Sequence, residues 1–167
     1  MRVRAFAEWL YGTAPSVAIH STLWLIRLLQ ATHLLTAGVA MASGLMIALR
    51  ALGWQRADEP FDAVWRRFAP WLAGSLAVMV ATGIAQTIGD PVREFTATSY
   101  WVKLTLLSGC VLGTLLLART ARRATADFSF AAKLVAFALI ASWLALPPLG
   151  RMIGYDLAIW GGLSLRE

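Results

Sequence analysis

Long apolar stretches alternate with short polar connections along the chain. Four stretches read as membrane-spanning helices, at 22–49, 69–88, 101–118 and 130–149. A helix crosses ~30 Å of hydrocarbon with about 20 apolar residues, and the first stretch is long enough to tilt or to reach into the interface. Pro70 is expected in the first turn of the second span, where a missing N–H costs little. The Pro147-Pro148 pair is expected to end or kink the fourth near its exit. Residues 1–19 follow another pattern. Phe6, Trp9 and Leu10 share one helical face, Arg2, Arg4 and Glu8 lie elsewhere, and Gly12 and Pro15 break the segment. That pattern predicts a short amphipathic helix lying in the membrane interface. The tail, 150–167, mixes Tyr155 and Trp160 with Asp156 and glycines, and reads as interfacial or as a short extension of the fourth helix. The fold class is therefore an all-α integral membrane protein, a four-transmembrane-helix bundle preceded by an interfacial helix, in one domain over 1–167.

Composition agrees. Of 167 residues, 59% are hydrophobic and 14% charged, against about 25% charged in soluble domains. So few charges cannot cover so much apolar mass in water, which excludes a soluble enzyme, a disordered chain and a secreted disulfide scaffold. The single cysteine, Cys110, sits in an apolar run and permits no intrachain disulfide. A net charge of +6 would suggest nucleic acid in a soluble protein. Here the basic residues sort by side, so the expected partner is the lipid bilayer and not nucleic acid. Arg50, Arg56, Arg66, Arg67, Arg119, Arg122, Arg123 and Lys133 fall on one face; Arg2, Arg4, Arg93, Lys103, Arg151 and Arg166 fall on the other. The positive-inside rule puts the first set in the cytoplasm and both termini in the periplasm. The first apolar stretch runs on through Ala40-Met41-Ala42 to Leu49, so an uncleaved first span is expected.

Small residues mark packing faces. Ala69, Ala73, Ala77, Ala81 and Ala85 recur every fourth residue, Gly109 and Gly113 form a GxxxG pair, and Ala40 and Gly44 do likewise on the first span. Such faces let helix backbones approach closely, inside this bundle, in a homo-oligomer, or against other membrane subunits.

Candidate chemistry is sparse. Of the two histidines, His20 lies near the outer interface and His33 near the middle of the first span. An intramembrane ionisable residue is a functional candidate, although a neutral histidine bonded to a helix carbonyl or a threonine is the plainer reading. Haem b is one alternative, since it takes two axial ligands from facing helices. His20 and His33 stand about 20 Å apart along one helix and cannot clamp one iron. A haem site would pair His33 with Met79, at similar depth on the second span, or use a second chain. Arg27, Gln30, His33 and Thr36 recur every three residues, and Lys103 and Arg151 enter at the outer level, where the acids are Glu8, Asp90, Glu94 and Asp156. An ordinary ring of interfacial charges is one reading. The other is an outward-facing ligand pocket of Arg27, Gln30, Lys103 and Arg151, walled by Trp24 and Trp101, for a quinone headgroup or an anion. No carboxylate lies inside a span, and no Ser/His/Asp set, HExxH or phosphate loop occurs. Catalytic activity of its own is not expected.

His33-Leu34-Leu35, Pro70-Trp71 with Gly74, Thr82-Gly83, Asp90-Pro91, Lys103, and Gly150-Arg151 with Ile153 and Tyr155 occur in an order that resembles a family of uncharacterised bacterial four-helix inner-membrane proteins. That family is a domain of unknown function, similar in architecture to b-type cytochromes and copper-resistance membrane proteins. The resemblance covers about 9–155. It implies a bacterial inner-membrane location and that His33, Lys103 and Arg151 match recurrent polar positions. Relatives carry a further histidine after span three, where this chain has Leu117-Ala118-Arg119. The first functional reading is a membrane subunit that anchors or assists a larger complex, in the setting of electron transfer. A haem- or quinone-binding redox protein and a small-ligand or metal permease component are the alternatives.

Overall fold

Each long helix stops where the chain offers a physical reason. In the computed structural model, which describes residues 2–121 and 128–165, α1 (Arg2–Tyr11) and α2 (Ala14–His20) precede α3 (Leu23–Leu52). Gly53 ends α3 in the left-handed region at φ 74°. Its N–H reaches Arg50 O at 3.1 Å and that of Trp54 reaches Leu49 O at 3.1 Å, closing carbonyls the helix leaves open. Next come α4 (Phe61–Gly89), α5 (Pro91–Phe95) and α6 (Thr98–Ala121). Ser129 caps α7 (Phe130–Met152), its hydroxyl accepting from Ala132 N at 3.3 Å. A 3₁₀ turn (Ile153–Tyr155), α8 (Asp156–Trp160) and a second 3₁₀ turn (Gly161–Leu163) complete the described chain. Among the described residues there is no strand, and α3, α4, α6 and α7 are each long and apolar enough to cross a membrane.

The helices outrun the apolar stretches that predict them. α4 begins at Phe61, because Phe61, Val64, Trp65 and Phe68 repeat at helical spacing and turn onto the core, while Asp62, Arg66 and Arg67 stay outside. Pro70 consequently lies inside α4 and not in its first turn, and Pro147 and Pro148 lie inside α7 near its end. These prolines are exposed, and the apolar seams on either side hold the helices through the missing N–H. The N-terminal segment is two helices where one was expected. Gly12 and Thr13 break it, and the Thr13 hydroxyl donates to Leu10 O at 2.7 Å.

α3 is the hub: it packs along α4 on one side and α7 on the other, and α6 docks on α7. Its small-residue face (Ala40, Ser43, Gly44, Ala48, Ala51) is buried, and Trp143 of α7 fills the space over Gly44. A Cβ on Gly44 would stand 2.5 Å from that indole, so only glycine fits. Gly113 plays a similar part against Leu139. The alanine stripe of α4 faces the other way: Ala73, Ala77 and Ala81 are exposed, and Gly74 and Gly109 face open space. α4 and α6 scarcely touch, which leaves between them an open apolar groove lined by Leu76, Ala77, Val80, Leu107, Val111 and Leu112.

One end of the bundle is built from α1, α2, α5 and α8. Ala7 of α1 is fully buried and Phe6 packs edge-on against Phe95 of α5, ring centres 5.9 Å apart. The opposite end carries Arg50, Arg56, Arg66, Arg67 and Arg119. There Glu59 gathers Arg56 and, at 3.4 Å, Arg67, while Arg50 donates to the Glu59 carbonyl at 2.6 Å. Arg122, Arg123 and Arg166 lie outside the described residues.

Candidate functional site

His33 sits half-buried in the first half of α3, where α4, α6 and α7 also converge. Its Nδ1 is 3.1 Å from Thr82 Oγ1 on α4. The Thr82 hydroxyl has one hydrogen, and two carbonyls of its own helix lie in reach of it, Val78 O at 2.8 Å and Met79 O at 3.1 Å, so we assign that hydrogen to the helix. Its oxygen therefore accepts from His33 Nδ1–H. The other ring nitrogen, Nε2, is then an acceptor, and Lys103 Nζ of α6 lies 3.5 Å from it. The network thus assigns one neutral tautomer.

Gly83 gives this approach its room, and Gly150 borders it at ordinary contact distance. A Cβ on Gly83 would meet His33 Cε1 at 3.3 Å, and one on Gly150 of α7 would meet Lys103 Nζ at 3.8 Å. Met79 is buried about one turn before Thr82, and its carbonyl faces the His33 ring. His33 and Met79 thus do lie on facing helices, but both ring nitrogens of His33 point at protein partners.

Toward the α1/α2 end, a pocket of about 250 Å³ has Gln30, Gln86, His20, Asp90, Arg93 and Glu94 on its walls. Gln30 is one turn before His33 on α3, and Gln86 one turn after Thr82 on α4, so the pocket stands over the histidine. His20 Nδ1 is buried there with no hydrogen-bond partner among the described residues, its ring stacked on Tyr11 at 4.5 Å. Glu94 is 12% exposed and 3.4 Å from Arg93. Burial holds its carboxyl above the usual carboxylate range, against the pull of Arg93 and of Lys103.

Of the pocket residues expected from sequence, the fold brings Gln30 and Lys103 to this column. Trp24 and Arg27 lie exposed on α3. Trp101 donates its indole N–H to Phe95 O at 3.1 Å, and the Arg151 guanidinium lies 5.8 Å from the Tyr155 ring centre. Thr82, Gly83 and Glu94 are the functional candidates that chemistry-based reading of the sequence passes over. Thr82 and Gly83 stand in the Thr82-Gly83 motif but carry no titratable group, and Glu94 looks like one interfacial acid among four.

On the other side of the pair runs the apolar groove. Leu107 and Val111 follow Lys103 at one-turn steps on α6, and Val80 and Leu76 precede Gly83 on α4. An ammonium has three N–H donors, one of which faces His33 Nε2. The arrangement therefore presents a cationic donor, backed by an imidazole, one turn along α6 from an open apolar groove. Among the described residues, no three His, Cys, Asp or Glu side chains are grouped to hold a metal ion.

In comparisons with known proteins, the model of a family of unknown function (DUF6644) matches residues 19–156. No curated protein and no solved structure matches the chain.

Proposed function

The chain belongs to this family of unknown function, so its activity has to be read from its own residues, and we propose that it is a multi-pass bacterial inner-membrane protein that binds a quinone-type ligand. The ligand enters sideways from the lipid. Its apolar tail lies in the groove between α4 and α6, and a head oxygen accepts a hydrogen bond from Lys103. The observation that supports this reading is the Lys103–His33–Thr82 chain, one turn along α6 from Leu107 of the groove. An ammonium withdrawn from water is costly; one N–H of Lys103 faces His33 Nε2, and an acceptor oxygen on the ligand would take a second. Haem at His33 and Met79 has less support, because both His33 nitrogens are already engaged.

The test is binding of decylubiquinone to the protein in lipid nanodiscs, followed by tryptophan fluorescence. Saturable binding is expected, weakened about 10- to 100-fold by Lys103→Gln, the cost of one charge-assisted hydrogen bond. Absence of saturable binding, or equal affinity in the variant, would overturn the reading.

A second reading, a membrane subunit of a larger complex, is favoured by one observation. Ala73, Ala77 and Ala81 turn a flat small-residue face outward, the surface another transmembrane helix packs against. Subunits that copurify in mild detergent and detach on Ala73→Trp, a position on the stripe outside the groove, would support the second.

A further inference from the structure

The pocket at the α1/α2 end shares no lining residue with the groove between α4 and α6, so what it binds stands or falls apart from the quinone reading. Five helices build it: Tyr11 comes from α1, Ile19 from α2, Gln30 from α3, Gln86 from α4 and Glu94 from α5. Gly89 of α4 sets its roof. A Cβ there would stand 2.6 Å from Ile19 Cγ2, so α2 comes this close to α4 because that position is glycine. Gln30 and Arg93 are exposed, which leaves the pocket open to the outside of the bundle. We infer that it binds a small primary alkylammonium, with Glu94 and Gln86 accepting the N–H groups and Ile26 and Leu29 covering the chain.

The polar wall is richer in acceptors than in donors. Gln86 Nε2 donates to Thr82 O at 3.2 Å, which leaves its carbonyl oxygen to accept. Arg93 lies 3.5 Å from Asp90 Oδ2 and 3.4 Å from Glu94 Oε1, so the guanidinium of this wall is turned to the wall's own carboxylates. Gln30 and Tyr11 can serve either way. A carboxylate has about four lone-pair sites, and Arg93 takes one of those on Glu94. Glu94 is only 12% exposed, and a carboxylate withdrawn from water is costly unless cations and donors meet it. An ammonium beside it brings both. Size and ligand count then set the class. A volume of about 250 Å³ exceeds a bare ion and falls below the ~300–1,000 Å³ of drug-sized sites. A bare divalent cation needs several close oxygen ligands, and among the described residues no three His, Cys, Asp or Glu side chains are grouped to hold one. These acids suit a cation that carries its own N–H donors. Ile19, Ile26 and Leu29 complete the wall, and contact with them is what a hydrocarbon chain gains over ammonium itself.

The probe is n-butylammonium chloride, titrated into the full chain in lipid nanodiscs with its histidines ¹⁵N-labelled. His20 lines the pocket, and its ring ¹⁵N signals read occupancy there. A saturable shift is expected with n-butylammonium and none with 1-butanol, which has the same shape without the charge. Glu94→Gln is expected to weaken binding about 10- to 100-fold, the cost of one charge-assisted hydrogen bond. The comparison with 1-butanol needs only the wild type, so it decides the matter even where the variant fails to fold. Absence of a saturable shift, an equal response to 1-butanol, a tighter response to calcium chloride, or unchanged affinity in Glu94→Gln would overturn the inference.

Discussion

Ser99 binds Asp156 twice, once through its backbone N–H at 2.8 Å and once through its hydroxyl at 2.7 Å, across 57 residues of chain. The second carboxylate oxygen accepts from Thr98 N at 3.0 Å and Ser164 Oγ at 2.6 Å, and Trp160 Nε1 donates to Ser99 Oγ at 2.9 Å. Asp156 is thus a capping residue for α6 supplied by the tail. It satisfies open N–H groups at that helix start and complements the positive end of the helix dipole. The tail extends α7 through the 3₁₀ turn and α8, as the sequence suggests, and it also clamps α6 at that end of the bundle.

Removing the clamp is expected to cost stability. Asp156→Ala loses a cap and leaves buried donors without acceptors, together about 2–4 kcal/mol. Asp156→Asn keeps part of the pattern and is expected to lie between. Unfolding in detergent, followed by circular dichroism, reads the difference. An unchanged midpoint in Asp156→Ala would mean the tail does not hold α6.

Trp143 over Gly44 makes a second prediction, by contrast with another glycine. Gly44→Ala forces a Cβ against the fixed indole and is expected to destabilise by about 1–3 kcal/mol. Gly74→Ala enters open space and is expected to be neutral or stabilising by up to about 1 kcal/mol, since alanine is the better helix former. If the two substitutions behave alike, the α3–α7 seam is not packed as described.

Much of this was legible in the chain, for reasons that can be stated. His33 and Lys103 stand out because an ionisable group in an apolar run has few explanations. Their meeting was not legible, because it depends on α3 sitting beside α4 with α6 close by. The start of α4 was legible in the 61, 64, 65, 68 repeat, but Asp62, Arg66 and Arg67 give that stretch the look of a loop. Spacing identified the alanine stripe of α4 and could not say which way it faces. Nothing local marks Asp156 as the partner of Ser99.

The Thr82 hydroxyl accepts from His33 Nδ1–H, which has a spectroscopic consequence. In the wild type, ¹⁵N chemical shifts are expected to place the proton on Nδ1. Thr82→Val removes this acceptor and leaves the ring N–H only the Met79 carbonyl, so the Nδ1 ¹⁵N shift is expected to move while the proton stays on Nδ1, because Nε2 faces the Lys103 ammonium. A wild-type proton already on Nε2 would contradict the assigned network.

Glu94 gives stability a pH dependence of definite sign. Burial raises its folded-state pKa above the unfolded value. Below the unfolded pKa the group is neutral in both states and its contribution is fully present. That contribution is lost as pH rises through the folded pKa, because the unfolded chain ionises more readily. Glu94→Gln keeps the neutral shape and removes this slope. Thermal midpoints of both proteins, compared from about pH 4 to 8, should converge at the acid end and separate on the alkaline side, the wild type falling further. Parallel curves would show Glu94 to be unperturbed.

Orientation is the last prediction, and it decides which compartment feeds the pocket. Arg50, Arg56, Arg66, Arg67 and Arg119 crowd the end opposite the pocket, although Glu59 engages three of them. The positive-inside rule counts basic residues and not net charge, and Asp and Glu contribute little to it. That pairing therefore does not weaken the expectation of a cytoplasmic α3–α4 loop. Gln55 in this loop is exposed, and Cys110, the only native thiol, is buried. A Gln55→Cys, Cys110→Ala protein in intact cells should resist a membrane-impermeant maleimide and react after permeabilisation, while Gly12→Cys should react at once. Reversed accessibility would invert the topology, and the pocket at the α1/α2 end would then lie on the cytoplasmic side.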